Sequence, residues 1–187
     1  MPTLLVIIAS TRPGRVGGPV GDWFADQARD HAGFDVDVAD LAELALPFLD
    51  EPNHPRLADY EHDHTKAWSE RVTAADAVVM VTPEYNHSFP ATLKNAIDFL
   101  HNEWKHKPVG FITYGGVSGG TRAMTALETV VGAVGMVALP VAVNIPFGFQ
   151  FLDEGRFVPN EPTEKAAAAL LDALVSWHGT LSPRRAG

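Results

Sequence analysis

The sequence predicts an α/β domain, an open parallel sheet of five strands with helices on both faces. Two observations carry this. Short apolar runs alternate with longer stretches of helical period from one end of the chain to the other. The first run, Thr3 to Ala9, is almost continuously apolar, as a strand covered on both faces must be. In sheets of this kind a ligand sits beyond the carboxyl ends of the strands, where the strand order reverses. The loops after strands one, three and four are therefore the places to look for chemistry.

Taken in order, Thr3 to Ala9 is the first strand and Gly18 to His31 a helix, with Val20, Trp23, Phe24 and Gln27/Ala28 near one stripe. Phe34 to Val38 alternates and forms a strand with one wetter face, as near a sheet edge. A turn-rich stretch from Pro47 to Pro55 precedes a helix expected over about Leu57 to Ala74. Asp76 to Thr82 is the third strand. Ser88 or Phe89 is expected to cap the next helix, with Pro90 in its first turn, where a missing N–H costs nothing. Leu93, Ala96, Ile97 and Leu100 follow with helical spacing. Pro108 to Tyr114 is the fourth strand, Thr121 to Val134 a helix, and Met136 to Asn144 the fifth strand. Pro146 to Pro162 is a loop with room for a hairpin around Asp153-Glu154-Gly155. The last helix, Thr163 to about Trp177, buries Ala167, Leu170, Leu171 and Leu174. The organisation expected is one domain over residues 1–181 and a frayed tail over residues 182–187.

At 187 residues the chain is long enough to bury a full core, and 46% hydrophobic with 20% charged residues is an ordinary globular composition. A net charge of −9 argues against a general nucleic-acid binder, though a few arginines can still build one anionic pocket. The first apolar run is too short to span a bilayer and lacks the basic flank of a secretory signal, so a cytoplasmic location with no membrane partner is expected. The chain contains no cysteine. Thiolate nucleophiles, iron–sulfur clusters and cysteine-based zinc sites are excluded, and any redox chemistry must be carried by a bound organic cofactor.

The loop after strand one runs Ser10-Thr11-Arg12-Pro13-Gly14-Arg15-Val16-Gly17-Gly18. Small residues let its N–H groups converge on an anion at the head of the next helix. Ser10 and Thr11 add hydroxyls, and Arg12 and Arg15 add guanidinium forks suited to a terminal phosphate. The loop matches neither the dinucleotide glycine fingerprint nor a Walker loop. The loop after strand three, Pro83-Glu84-Tyr85-Asn86-His87-Ser88, offers an aromatic face and hydrogen-bonding groups to a flat heteroaromatic ring. The loop after strand four, Gly115-Gly116-Val117-Ser118-Gly119-Gly120, spends four glycines in six residues, as close backbone approach to a ring would require. Read alone, each of these loops also has an ordinary explanation as a connecting turn.

Together these residues resemble the NAD(P)H-dependent FMN reductase family, the flavodoxin-like group that includes quinone, azo and chromate reductases. The resemblance covers Leu4 to about Leu127. It rests on Ser-Thr-Arg-Pro-Gly-Arg at residues 10–15, Pro-Glu-Tyr-Asn at 83–86, Leu-Lys-Asn-Ala-Ile-Asp at 93–98 and Gly-Gly-Val-Ser-Gly-Gly at 115–120. It implies a flavodoxin-like, three-layer, doubly wound sheet of order 2-1-3-4-5. It further implies FMN as cofactor, NADPH or NADH as co-substrate, and small electron acceptors. By the same resemblance, Ser10, Thr11, Arg12, Arg15 and Gly17 would hold the FMN phosphate. Pro83, Glu84, Tyr85, Asn86 and Ser88 would hold the ring, and Gly116, Ser118, Gly119 and Gly120 would pack on its other side. No side chain is expected to act as an acid–base or covalent catalyst. The resemblance also implies a homodimer or homotetramer, and Phe99 and Trp104, off the core stripe of their helix, have two readings, facing a partner copy or packing under a loop.

Three other readings compete. A flavodoxin-type electron carrier would share the fold without oxidising a nucleotide. Gly116-Val117-Ser118-Gly119-Gly120 also fits a hydrolase nucleophile elbow, with Asp153 and His178 following in triad order. His54, His62 and His64 invite a metal reading, but alternate residues at a helix start do not share a face, and a solvated surface is the expectation.

Overall fold

In the computed structural model, which describes residues 1–185, five strands form one parallel sheet of order β2-β1-β3-β4-β5. The strands are β1 (Thr3–Ile8), β2 (Asp35–Asp40), β3 (Ala77–Pro83), β4 (Pro108–Gly115) and β5 (Val137–Pro146). The helices are α1 (Gly17–His31), α2 (Leu41–Leu44), α3 (Asp63–Ala74), α4 (Ala91–Asp98), α5 (Thr121–Ala133) and α6 (Glu161–Leu181). The predicted hairpin is present as β6 (Leu152–Asp153) and β7 (Arg156–Phe157).

The pleat of the central strands divides the core into two layers. Leu5, Ile7, Val78, Met80, Val109 and Phe111 point to the side carrying α3, α4 and α5, where Trp68, Leu93, Ile97 and Leu127 meet them. Leu4, Val6, Val79, Val81 and Ile112 point to the side of α1 and α6, against Phe24, Leu170 and Leu174. Every residue of β3 is buried, as expected of the central strand. The edges differ. β2 alternates acids, Asp35, Asp37 and Asp40, with apolar residues. β5 carries an irregularity around Pro140, where its register against β4 slips between Val109 and Phe111.

Three expectations need correction, and the choice left open for Phe99 and Trp104 is decided. The helix expected from Leu57 begins at Asp63; Pro55–Leu57 is a separate 3-10 turn ended by Ala58 at φ 51°. Pro90 does not lie in the first turn of α4 but is its N-cap, in extended conformation (ψ 144°), the ordinary state for the residue that enters a helix. The tail does not fray at residue 182. A 3-10 turn over Ser182–Arg184 leads to Arg185, whose guanidinium holds the Asp76 carboxylate at 2.8 Å. Ala186 and Gly187, the rest of that expected tail, lie outside the described residues. Phe99 and Trp104 do not face outward; both are fully buried. Trp104 packs edge-on to Trp68 with centroids 6.0 Å apart, and its indole donates to the Ile97 carbonyl. Among the described residues no helix is long and apolar enough to cross a membrane.

Candidate functional site

The strand order reverses between β1 and β3, and there the ends of β1, β3, β4 and β5 come together. Ser10 is buried directly after β1. Its hydroxyl lies 2.8 Å from the Tyr85 hydroxyl and 3.5 Å from the Arg12 amide. Helix α1 starts at Gly17 with no side-chain cap and no acid in its first turn, which leaves its first amides and positive dipole end without an internal partner. Arg12 is exposed, and its guanidinium makes no ion pair or hydrogen bond among the described residues. Arg15 behaves differently. It donates to the Ser10 carbonyl at 2.5 Å and to both carboxylate oxygens of Asp40, at 2.6 Å for Oδ1. That hydrogen-bonded pair raises its pKa further above the ordinary arginine value. Beneath the loop the Tyr114 hydroxyl is buried without a hydrogen-bond partner, and burial pushes its pKa up. A Cβ at Gly17 would stand 2.5 Å from that hydroxyl, so only glycine lets α1 begin there.

β3 ends at Pro83, and the Glu84 amide donates to the Tyr114 carbonyl at 2.8 Å. Tyr85 and Ser88 exchange two backbone hydrogen bonds around Asn86 (φ 49°) and His87 (φ 66°). Two consecutive left-handed residues make a type I′ turn, which asparagine and histidine tolerate better than most side chains. Asn86 and His87 therefore stand exposed at its tip, with Ser88 half-buried behind them.

The loop after β4 is bound to this turn through Glu84. Its carboxylate accepts from the Ser118 hydroxyl at 2.9 Å, the Arg122 amide at 3.2 Å and the Arg122 guanidinium at 2.8 Å. Desolvation pushes the Glu84 carboxyl up, but the bonds from Arg122 and Ser118 outweigh it and hold its pKa below the usual value. Gly119 and Gly120 take φ of 61° and 88°. Gly116 has neither a positive φ nor any atom within 4 Å of where a Cβ would stand. The fourth wall is the end of β5: the Phe147 amide donates to the Gly115 carbonyl at 2.9 Å, with Phe147 itself at φ 51°.

The structure thus gathers Ser10, Arg12, Gly17, Tyr85, Glu84 and Ser118 around one end of the sheet, but it turns Arg15 away toward β2. Sequence reasoning missed Asp40, Tyr114, Arg122 and Phe147. Asp40 had a legible signal as an acid just before Leu41-Ala42-Glu43-Leu44, and it does cap α2 through the Ala42 amide at 2.9 Å. Tyr114 and Arg122 read as strand and helix residues and Phe147 as part of the loop from Pro146, and all three reveal a role only once the strand ends are assembled.

The hydrolase reading fails on geometry. Ser118 is committed to Glu84, at the carboxyl end of β4. His178 lies edge-on to Phe34, just before the amino end of β2, with its Nδ1 3.1 Å from the Arg185 guanidinium. In a parallel sheet these are opposite ends. His62 and His64 stack with centroids 5.2 Å apart, and both bond to Asp50.

An open sheet that offers an uncapped helix head, a free guanidinium and a glycine-built loop at its switch point defines an α/β protein that binds a phosphorylated mononucleotide. The donor set fits FMN: the first amides of α1 carry no side-chain cap, and the Tyr114 hydroxyl beneath Gly17 has no hydrogen-bond partner among the described residues. Known proteins agree. The sequence profile of the NADPH-dependent FMN reductase family matches residues 2–150, and the chain belongs to that family. It is 38% identical over 149 residues to an NAD(P)H-dependent FMN reductase of Schizosaccharomyces pombe, covering 78% of this chain and 74% of that one. It is 29% identical over 176 residues to an FMN-dependent NADPH-azoreductase of Staphylococcus haemolyticus, covering 92% and 93%. Among solved structures it resembles FerB, a flavoenzyme NAD(P)H:(acceptor) oxidoreductase of Paracoccus denitrificans. There the TM-score is 0.77 at 28% identity, covering 97% of this chain and 99% of that one. The chain is a flavin-dependent oxidoreductase that uses FMN and NAD(P)H, which sets aside the electron-carrier reading.

Proposed function

We propose that this enzyme carries electrons from NADPH or NADH to small acceptors, namely free flavin, quinones, azo compounds or metal oxyanions, in ping-pong order. The observation that carries the reading is the head of α1, whose first amides have no side-chain cap and whose Gly17 lies against a Tyr114 hydroxyl without a hydrogen-bond partner among the described residues. Ser10, Thr11, Arg12 and the amides from Gly17 onward would hold the phosphate. Pro83, Glu84, Tyr85 and Asn86, with Ser88 behind them, would line the ring's polar edge, and Gly116, Ser118, Gly119 and Gly120 its far side. FMN, when bound, supplies the atom that accepts and returns a hydride.

The chain's own part is to hold the two reactants face to face and to offer amide donors where negative charge develops. Tyr85 and His87 are exposed at the turn, and solvent reaches the same place, so neither is assigned as an obligatory proton donor. A single domain over residues 1–181, a homodimer or homotetramer, and a cytoplasmic location belong to the same reading. The test is the purified protein with and without added FMN. A yellow, FMN-dependent NAD(P)H oxidase with parallel-line initial-rate patterns supports the reading. Colourless protein with no FMN-dependent oxidation rejects it.

A further inference from the structure

Arg12 and Arg15 lie three residues apart in one loop, yet of the two only the Arg12 guanidinium has no ion-pair or hydrogen-bond partner among the described residues. Arg15 spends its fork on Asp40 and the Ser10 carbonyl, with side-chain exposures of 20% for the arginine and 13% for the aspartate. Asp40 is fixed in turn by its β-ladder position opposite Ile8 and by the Ala42 amide. The Arg15 Nε lies 3.6 Å from where a Cβ of Gly18 would stand, so the guanidinium crosses the first turn of α1. A cation at a helix N-terminus is unfavourable unless it is neutralised, and Asp40 neutralises it.

We propose that Asp40 and Arg15 form a positioning strut for the FMN phosphate site. The pair fixes the curl of residues 11–16 from outside, while Arg12 alone meets the phosphate. This rests on the FMN reading above. Arg15 touches the loop backbone at Ser10, so the strut sets where the loop amides and Arg12 point without contributing charge to the ligand. The competing arrangement, in which Arg15 leaves Asp40 to grip the phosphate, differs in the sign of the effect at Asp40.

The experiment compares FMN with riboflavin, which lacks the phosphate, by quenching of flavin fluorescence on titration with flavin-free protein. Wild type should prefer FMN, and Arg12→Gln should lower FMN affinity on the order of 10- to 100-fold with riboflavin unchanged. Arg15→Gln and Asp40→Asn should each lower FMN affinity by a similar factor, about 3- to 10-fold, and the double variant should be no worse than either, as a coupled pair requires. Asp40→Asn that leaves or raises FMN affinity while Arg15→Gln lowers it overturns the proposal and makes Arg15 a ligand. Equal losses for FMN and riboflavin also overturn it, since the pair would then support the fold generally. Wild type that binds neither flavin fails the FMN reading itself, and the strut with it, and is told apart by the wild-type titration alone.

Discussion

The Tyr85 hydroxyl lies 2.8 Å from the Ser10 hydroxyl, joining residues 75 positions apart across the switch point of the sheet. This single bond ties the loop after β1 to the turn after β3, so the parts assigned to phosphate and ring cannot drift independently. Tyr85→Phe removes the bond and keeps the ring. Protein stability should fall by about 1 kcal/mol, the net worth of one hydrogen bond. FMN affinity should fall a few-fold, read by titration.

Gly120 has no tolerance for a side chain. Its φ is 88°, and a Cβ would stand 2.6 Å from Thr113 Cβ and 2.8 Å from the Tyr114 amide nitrogen. Both neighbours belong to β4 and cannot yield. Gly120→Ala should destabilise the fold by roughly 2–4 kcal/mol through strain and overpacking. Gly116→Ala, where the backbone is ordinary and the space open, should leave stability within about 0.5 kcal/mol of wild type while weakening flavin binding. Denaturant unfolding and a flavin titration separate the two.

Ser118→Ala distinguishes a positioning hydroxyl from a nucleophile. The variant should remain yellow with FMN and keep its NAD(P)H oxidation within a few-fold, losing about 1 kcal/mol of stability with its bond to Glu84. Esterase activity that disappears in this variant would contradict the geometry.

Glu84 couples stability to acid. Its folded pKa lies below the usual 4.5, so between the two values the unfolded chain binds more protons than the folded one. Its contribution is complete above pH 4.5 and is lost as pH falls through the depressed folded value. Glu84→Gln should cost roughly 1–2 kcal/mol at pH 7, a figure kept small because Arg122 is half exposed and screened. Its melting temperature should fall less steeply than that of wild type on acidification below pH 4.5.

The layered sheet was legible because two periodicities, continuous apolar strands and helical stripes, survive along the whole chain. Leu93, Ala96, Ile97 and Leu100 fall on one stripe and are all buried. Phe99 breaks that pattern and is buried as well, because His64 from α3 covers it edge-on at 5.7 Å, a tertiary contact with no local signature. The site was legible as three loops but not as a network. Arg12 and Arg15 look alike in sequence, and what separates them is Asp40, brought beside Arg15 by the β1–β2 ladder. Tyr114 reads as a strand residue; its hydroxyl acquires meaning only under the head of α1.

The two borders of the sheet carry a consequence for assembly. Bare strand margins invite another chain to add on; here one margin carries the ion pairs of Asp37 with Arg71 and Asp40 with Arg15, and on the other Pro140 lacks the N–H that a ladder needs. Both margins are thereby poor templates for a further strand, and merging of two such sheets into a shared ribbon is disfavoured.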